Sequence, residues 1–206
     1  MDKNYILHGL KLMFKDPKCE LIYNNDWQLL IAILLSAQST DKKVNDITPV
    51  LFQKYQTLKQ LKDANVDELK SIINPIGLAN NKAKNIIALA SVLHNEYNDT
   101  VPNTKEQLTS LPGIGTKTAN VMLVEYFKTP AFPVDTHVER VSKRLNLCDK
   151  EDNVKIVEDK LTTIFPKEEW ALLHLRMVLF GRYICKAIKP DCSNCLLKEK
   201  CTYNKK

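Results

Sequence analysis

Apolar positions recur at helical spacing along most of the chain. In residues 4–14, Ile6, Leu7, Leu10, Met13 and Phe14 share one face, and the pattern breaks at Asp16-Pro17. Residues 29–35, Leu-Leu-Ile-Ala-Ile-Leu-Leu, are apolar on every side. Leucine and alanine dominate there, so the stretch reads as a buried helix rather than a strand, with Asn24-Asn25-Asp26 supplying its start. Asp41 opens a helix to about Tyr55, and Asp67 opens a short one that Asn74-Pro75 stops. Ile76-Gly77-Leu78 forms a turn before a long helix to Tyr97, capped by Asn80 or Asn81. Thr104 followed by Gln107 is a capping-box pattern that starts a short helix, and residues 118–126 form an apolar one. Thr136 with Glu139 reads as a second capping box, opening a helix through Leu145. Two more helices cover 153–164 and 168–184, with Pro166 between them. No strand pattern, repeat or low-complexity segment interrupts this series, so the expected class is all-α.

The richest stretch is 111–137, LPGIGTKTANVMLVEYFKTPAFPVDTH. Gly113 and Gly115 allow backbone conformations that a side chain would forbid, and they leave N–H groups uncovered at the start of the next helix. A helix start carries partial positive charge and unpaired donors, a natural seat for a phosphate. Helix, glycine turn, helix is a unit that can grip a nucleic-acid backbone without reading its sequence. On its own a G-x-G turn is as readily plain punctuation between helices. Lys117 at the mouth of the turn and Asp135, eighteen residues on, add chemistry to it.

Composition narrows the class. The 206 residues are 44% hydrophobic, enough for a packed core in one domain or two modest ones. A net charge of +6 suits a polyanionic partner, though a solvated basic surface would look the same. No run of eighteen apolar residues offers a membrane span. The N-terminus has neither a secretory nor a transit pattern, so the expectation is a cytoplasmic protein without a targeting signal. Six cysteines in such a chain argue against disulfides. Cys19 and Cys148 stand apart and read as buried thiols. Cys185, Cys192, Cys195 and Cys201 are spaced C-x6-C-x2-C-x5-C, compact enough to close on one metal centre. Four thiolates suit zinc and iron–sulfur clusters alike, so spacing leaves both open.

Taken together, LPGIGTKTAN, VDTHVERVSKRL and the cysteine array closely resemble the endonuclease III family of helix–hairpin–helix DNA glycosylases. LLSAQSTD (34–41) and IGLANNKAKNI (76–86) extend the resemblance over almost the whole chain. It implies two helical domains flanking a DNA-binding cleft: residues 22–131 with the hairpin, and 1–21 with 132–206 carrying the cysteine loop. It implies a [4Fe–4S] cluster on the four cysteines, with zinc as the second choice. The partner implied is double-stranded DNA containing damaged bases or abasic sites, bound by a monomer associated with the nucleoid. Lys117 is then the nucleophile and Asp135 the essential carboxylate; the plainer reading of Asp135, compatible with that role, is the cap of the helix beginning near Thr136. Gln38 enters the stack where a flipped base has left a gap, and Leu78 is a wedge between bases; the plainer readings are a loop residue and a core leucine. Gly113, Gly115 and Thr116 contact the backbone. His137 orients its corner through a hydrogen bond, and Lys186 and Lys189 either meet phosphates or are solvated. Thr116 departs from the family, many of whose members place a basic residue there.

The implied reaction is removal of an oxidised pyrimidine followed by strand scission through β-elimination. Breaking the C1′–N bond builds positive charge on the sugar, which a carboxylate can stabilise. An amine attacking C1′ becomes a Schiff base, which acidifies the neighbouring sugar carbon. A free lysine titrates at roughly 10.4, so partial burial at a helix N-terminus is expected around the nucleophile. A monofunctional adenine or mismatched-thymine glycosylase is the second possibility. Those relatives lack the lysine, and the adenine enzymes carry a glutamate that residues 27–40 do not contain. A non-catalytic DNA-binding module is the third, and it would need neither Lys117 nor Asp135.

Overall fold

The structure is a computed structural model that describes residues 2–203. Those residues form helices and connecting turns, with no strand among them. The helices are α1 (Lys3–Met13), α2 (Asp26–Ser36), α3 (Asp41–Lys54), α4 (Leu58–Lys62), α5 (Val66–Ile73) and α6 (Ala79–Glu96). They continue as α7 (Lys105–Ser110), α8 (Thr116–Glu125), α9 (Thr136–Arg144), α10 (Val154–Ile164) and α11 (Trp170–Tyr183). The chain folds as two compact units, one of Glu20–Phe127 and one in which the N-terminal residues up to Cys19 join those from Lys128 onward.

In the unit of Glu20–Phe127, α2 is the central rod. Every residue from Trp27 to Leu35 is buried, as its all-round apolar sequence requires. α3, α6 and α8 pack around it, α4 and α5 lie on α6, and α7 packs on α8. Asn25 caps α2 by accepting from the Gln28 N–H at 3.0 Å. The short helix α4 has no counterpart in the apolar pattern, yet Thr57 and Gln60 form a full capping box there.

In the other unit α11 is flanked by α1 and α9, and α10 lies on α9. Ile6, Leu10, Phe132, Val138, Val141, Leu161, Leu173 and Phe180 share its core. Cys148 is buried in that core, whereas Cys19 is only partly buried, short of the buried thiol its sequence suggests.

Helix starts around the candidate site differ from the sequence reading. α8 begins at Thr116, not 118, which brings Lys117 into its first turn. α6 is preceded by Leu78 in a left-handed conformation, while Asn80 and Asn81 lie inside the helix. α9 is capped by Asp135, the plainer reading of that residue, and not through a Thr136–Glu139 capping box; Glu139 pairs with Lys143 one turn on, at 2.6 Å.

Candidate DNA-repair site and cysteine loop

Thr104 caps α7, accepting from the Gln107 N–H at 3.3 Å, and the chain then turns through Leu111–Gly115 into α8. Only one of the two glycines is demanded by the fold. Gly113 has φ +75°, and a Cβ there would stand 2.8–3.0 Å from the Asn85 side chain. Gly115 is the N-cap of α8 with φ −93°, and a Cβ there would meet nothing within 4 Å. No side chain caps α8, so the positive end of this helix is left open. Thr116 and Lys117 are its first two residues, and both are exposed. The partial burial expected around Lys117 is absent in the protein alone.

A second feature of the same unit lies at the far end of α2. Gln38 has φ +55° and is exposed. Leu78 has φ +62° and is 56% exposed, so it is not a core leucine. A left-handed conformation costs a residue with a side chain about 1–2 kcal/mol, and such strain persists only where the surroundings enforce it. The two turns adjoin: a Cβ on Gly77 would stand 3.9 Å from the Gln38 carbonyl oxygen. Behind them is a residue that the sequence reading missed. Lys82, only 4% exposed, donates from Nζ to the carbonyl oxygens of Leu35 at 2.9 Å and Ala37 at 2.6 Å. Burial lowers its pKa from the ordinary lysine value. The available signal was a lysine amid the apolar positions of α6, which in sequence looks like any surface lysine.

In the other unit Asp135 is half-buried and caps α9. Its Oδ1 accepts from the N–H groups of His137 at 2.9 Å and Val138 at 2.8 Å. Arg140 braces this corner. It donates to the Gly181 carbonyl at 2.7 Å and the Cys185 carbonyl at 3.2 Å, and its Nη2 lies 3.2 Å from His137 Nδ1. Gly181 makes room for His137, whose Cβ would be 2.8 Å from a Cβ on that glycine. Burial, then the neighbouring Arg144, lowers the Arg140 pKa from its usual value.

The Asp135 corner thus adjoins the cysteine loop. Cys185, Cys192, Cys195 and Cys201 are free thiols lining one pocket, backed by Leu145, Phe180 and Ile184. Arg144 holds the loop, donating to the Cys185 sulfur at 3.3 Å, the Lys186 carbonyl at 2.7 Å and the Ala187 carbonyl at 3.0 Å. Tyr203 stacks on its guanidinium at 4.1 Å. Leu197 is buried against Gly9 of α1, where a Cβ would come within 2.5 Å of it. Burial, and then the charges of the three neighbouring cysteines, raise the Cys195 thiol, while the Leu197 N–H opposes them. Lys186 and Lys189 are exposed on the first segment of the loop.

A helix–glycine turn–helix in an all-helical chain defines a class. Residues 31–167 match the HhH-GPD superfamily base excision DNA repair protein family, and the chain belongs to that family. Within it, the chain is 45% identical over 194 residues to endonuclease III of Bacillus subtilis, covering 94% of this chain and 89% of that protein. The fold is similar to that in a non-covalent endonuclease III–DNA complex, with a TM-score of 0.95 and 48% identity over 98% of this chain and 94% of that one. It is equally similar, at TM-score 0.95 and 48% identity, to a trapped endonuclease III–DNA covalent intermediate, covering 98% of this chain and 95% of that one.

Proposed function

We infer that this protein is a base-excision DNA glycosylase with abasic-site lyase activity, acting on oxidised pyrimidines in duplex DNA through a lysine Schiff base. The observation that carries this reading is an exposed lysine on the open first turn of α8, in a chain 48% identical to an endonuclease III trapped covalently on DNA. The open N–H groups of α8 and the unobstructed face of Gly115 seat a backbone phosphate. Gln38 and Leu78 fill the gap left when the damaged base leaves the stack, a step that costs on the order of a few kcal/mol. Asp135 turns one oxygen to its helix cap, and its other oxygen stabilises the charge that builds on the sugar. Lys117 attacks C1′ as the C1′–N bond breaks, and the base departs with the bonding electron pair. Loss of the amine protons and opening of the C1′–O4′ bond, with a proton passing to O4′, give the Schiff base, which allows the neighbouring carbon to lose a proton and the 3′ phosphate to leave.

We propose a [4Fe–4S] cluster on Cys185, Cys192, Cys195 and Cys201. The donor set fits: four free thiols line one apolar-backed pocket, and a guanidinium already faces Cys185. When bound, the cluster crosslinks the loop to the helical unit; the reaction steps above use only protein side chains. Purified protein is expected to be brown and to contain iron and sulfide, and colourless protein with bound zinc would overturn the cluster.

The test of the activity is borohydride trapping on duplex DNA carrying an oxidised pyrimidine. The native protein should form a covalent adduct, and Lys117→Ala should lose it by at least about a thousandfold, as for the loss of other catalytic nucleophiles. Alkali-revealed abasic sites without an adduct would instead indicate a monofunctional glycosylase.

A further inference from the structure

α6 carries three residues on one face at spacings of four and three: Leu78 at its start, then Lys82 and Asn85. Each meets a different element of the DNA-facing unit. Leu78 is itself the exposed left-handed residue. Lys82 reaches the end of α2, and Asn85 packs into the space that Gly113 leaves open. An ammonium that is 4% exposed is costly, and an apolar side chain would fill the same space without that cost. Its geometry shows what the charge secures. One bond goes to the last turn of α2, at Leu35, which any helix C-cap could provide. The shorter one goes beyond the helix to the carbonyl of Ala37, the residue immediately before Gln38. Gln38 then sits at φ +55°, a conformation that needs outside restraint.

We propose that Lys82 is a positioning residue for base extrusion: from α6 it fixes the Gln38 loop against the Leu78 turn, so both side chains enter the duplex in register. Lys82 touches neither DNA nor reacting atoms in this scheme and acts through Gln38. The proposal rests on the reading of Gln38 and Leu78 as intruding residues, and it names what holds them in place.

The experiment compares the native protein, Lys82→Met, Lys82→Gln, Gln38→Ala and Leu78→Ala on two DNAs. One is a fully paired duplex with an oxidised pyrimidine beside 2-aminopurine, whose fluorescence reports unstacking. The other holds an abasic site in an unpaired bubble, where no stacked base needs extruding. Lys82→Met should slow base release on the paired duplex by roughly ten- to a hundredfold, the equivalent of losing a large part of the extrusion energy. It should also lose the 2-aminopurine signal, yet trap on the bubble within about threefold of native, since the chemistry itself is intact. Lys82→Gln keeps an N–H donor and should recover part of the duplex rate; it carries the comparison if Lys82→Met fails to fold. Equal losses on both DNAs would mean a merely structural lysine, and native-like rates on both would also overturn the proposal. If Gln38→Ala and Leu78→Ala are impaired on the duplex while both Lys82 variants are not, the intrusion reading stands and the role of Lys82 alone falls. If Gln38→Ala and Leu78→Ala extrude normally, the intrusion reading fails and takes the proposal with it.

Discussion

The starts of α8 and α9 present the same physical problem and meet it in opposite ways. Each begins with unpaired N–H groups and a positive end. At α9 the protein supplies the anion itself, with Asp135 accepting two N–H bonds. At α8 the cap is a glycine, no side chain accepts, and the space beside it is open. A helix end satisfied internally stabilises the fold and holds a carboxylate in a fixed place. One left open gives up that stability and leaves its donors free for an external acceptor, which the proposed function takes to be a phosphate. The C-terminal end of α2 is a third case, in which a buried ammonium from α6 takes the carbonyl oxygens.

The sharpest break of this comparison is at Asp135, where the cap and, in the proposed reaction, the chemistry share one carboxylate. Asp135→Asn should keep the cap, since asparagine caps as well as aspartate, and stability should stay within a few tenths of a kcal/mol. Base release should nonetheless fall by about a hundredfold or more, as for removal of a charge-stabilising group. Asp135→Ala should lose both, with a further cost of about 0.5–2 kcal/mol in denaturant unfolding. Equal stability losses in the two variants would show that capping is not the structural role of this residue.

The two glycines of the hairpin should separate next. Gly113→Ala is expected to destabilise by at least about 1 kcal/mol, because φ is positive and Asn85 occupies the space a Cβ needs. Gly115→Ser should leave unfolding unchanged or slightly improved, since serine is a better cap than glycine by a few tenths of a kcal/mol. Its hydroxyl would then compete with phosphate for the same donors, so duplex binding should weaken. Native affinity should fall with salt at a log–log slope of about −0.9 per phosphate neutralised. A flat salt response, or unchanged binding in Gly115→Ser, would sink the picture of α8 as a phosphate seat.

The smallest effect expected is in the pH dependence of stability at the α2 end. Burial sets the folded pKa of Lys82 below the ordinary value of 10.5. Between those two values the unfolded chain binds the extra proton, so this group adds stability as pH rises through that window. Below the folded value its cost is constant. The difference in stability between native and Lys82→Met should therefore shift in favour of native protein as pH approaches 10.5. A difference independent of pH there would contradict the burial of this charge.

Much of the site was legible along the chain because it lies in local words. The buried helix at 29–35, the Thr104 cap, the glycine turn and the four-cysteine spacing each depend on residues close in sequence. Helix periodicity alone gave the all-α class. The misreadings cluster at helix starts: Asn80 or Asn81 for α6 and a Thr136 capping box for α9 are reasonable by type, although Asp135 is also legible as the cap of α9. Which residue closes a helix depends on where the preceding chain arrives, and that is set by packing.

What the sequence determined by itself was the class of fold, the family motif and which residues offer reactive side chains, because these are written in spacing and side-chain chemistry. Tertiary structure alone decided which glycine is strained, that Leu78 stands outside the core, and that Lys82 is buried beneath Gln38. Lys82 and Ala37 are 45 residues apart. No periodicity links them, and only the packing of α6 on α2 makes a lysine's charge a restraint on a distant loop.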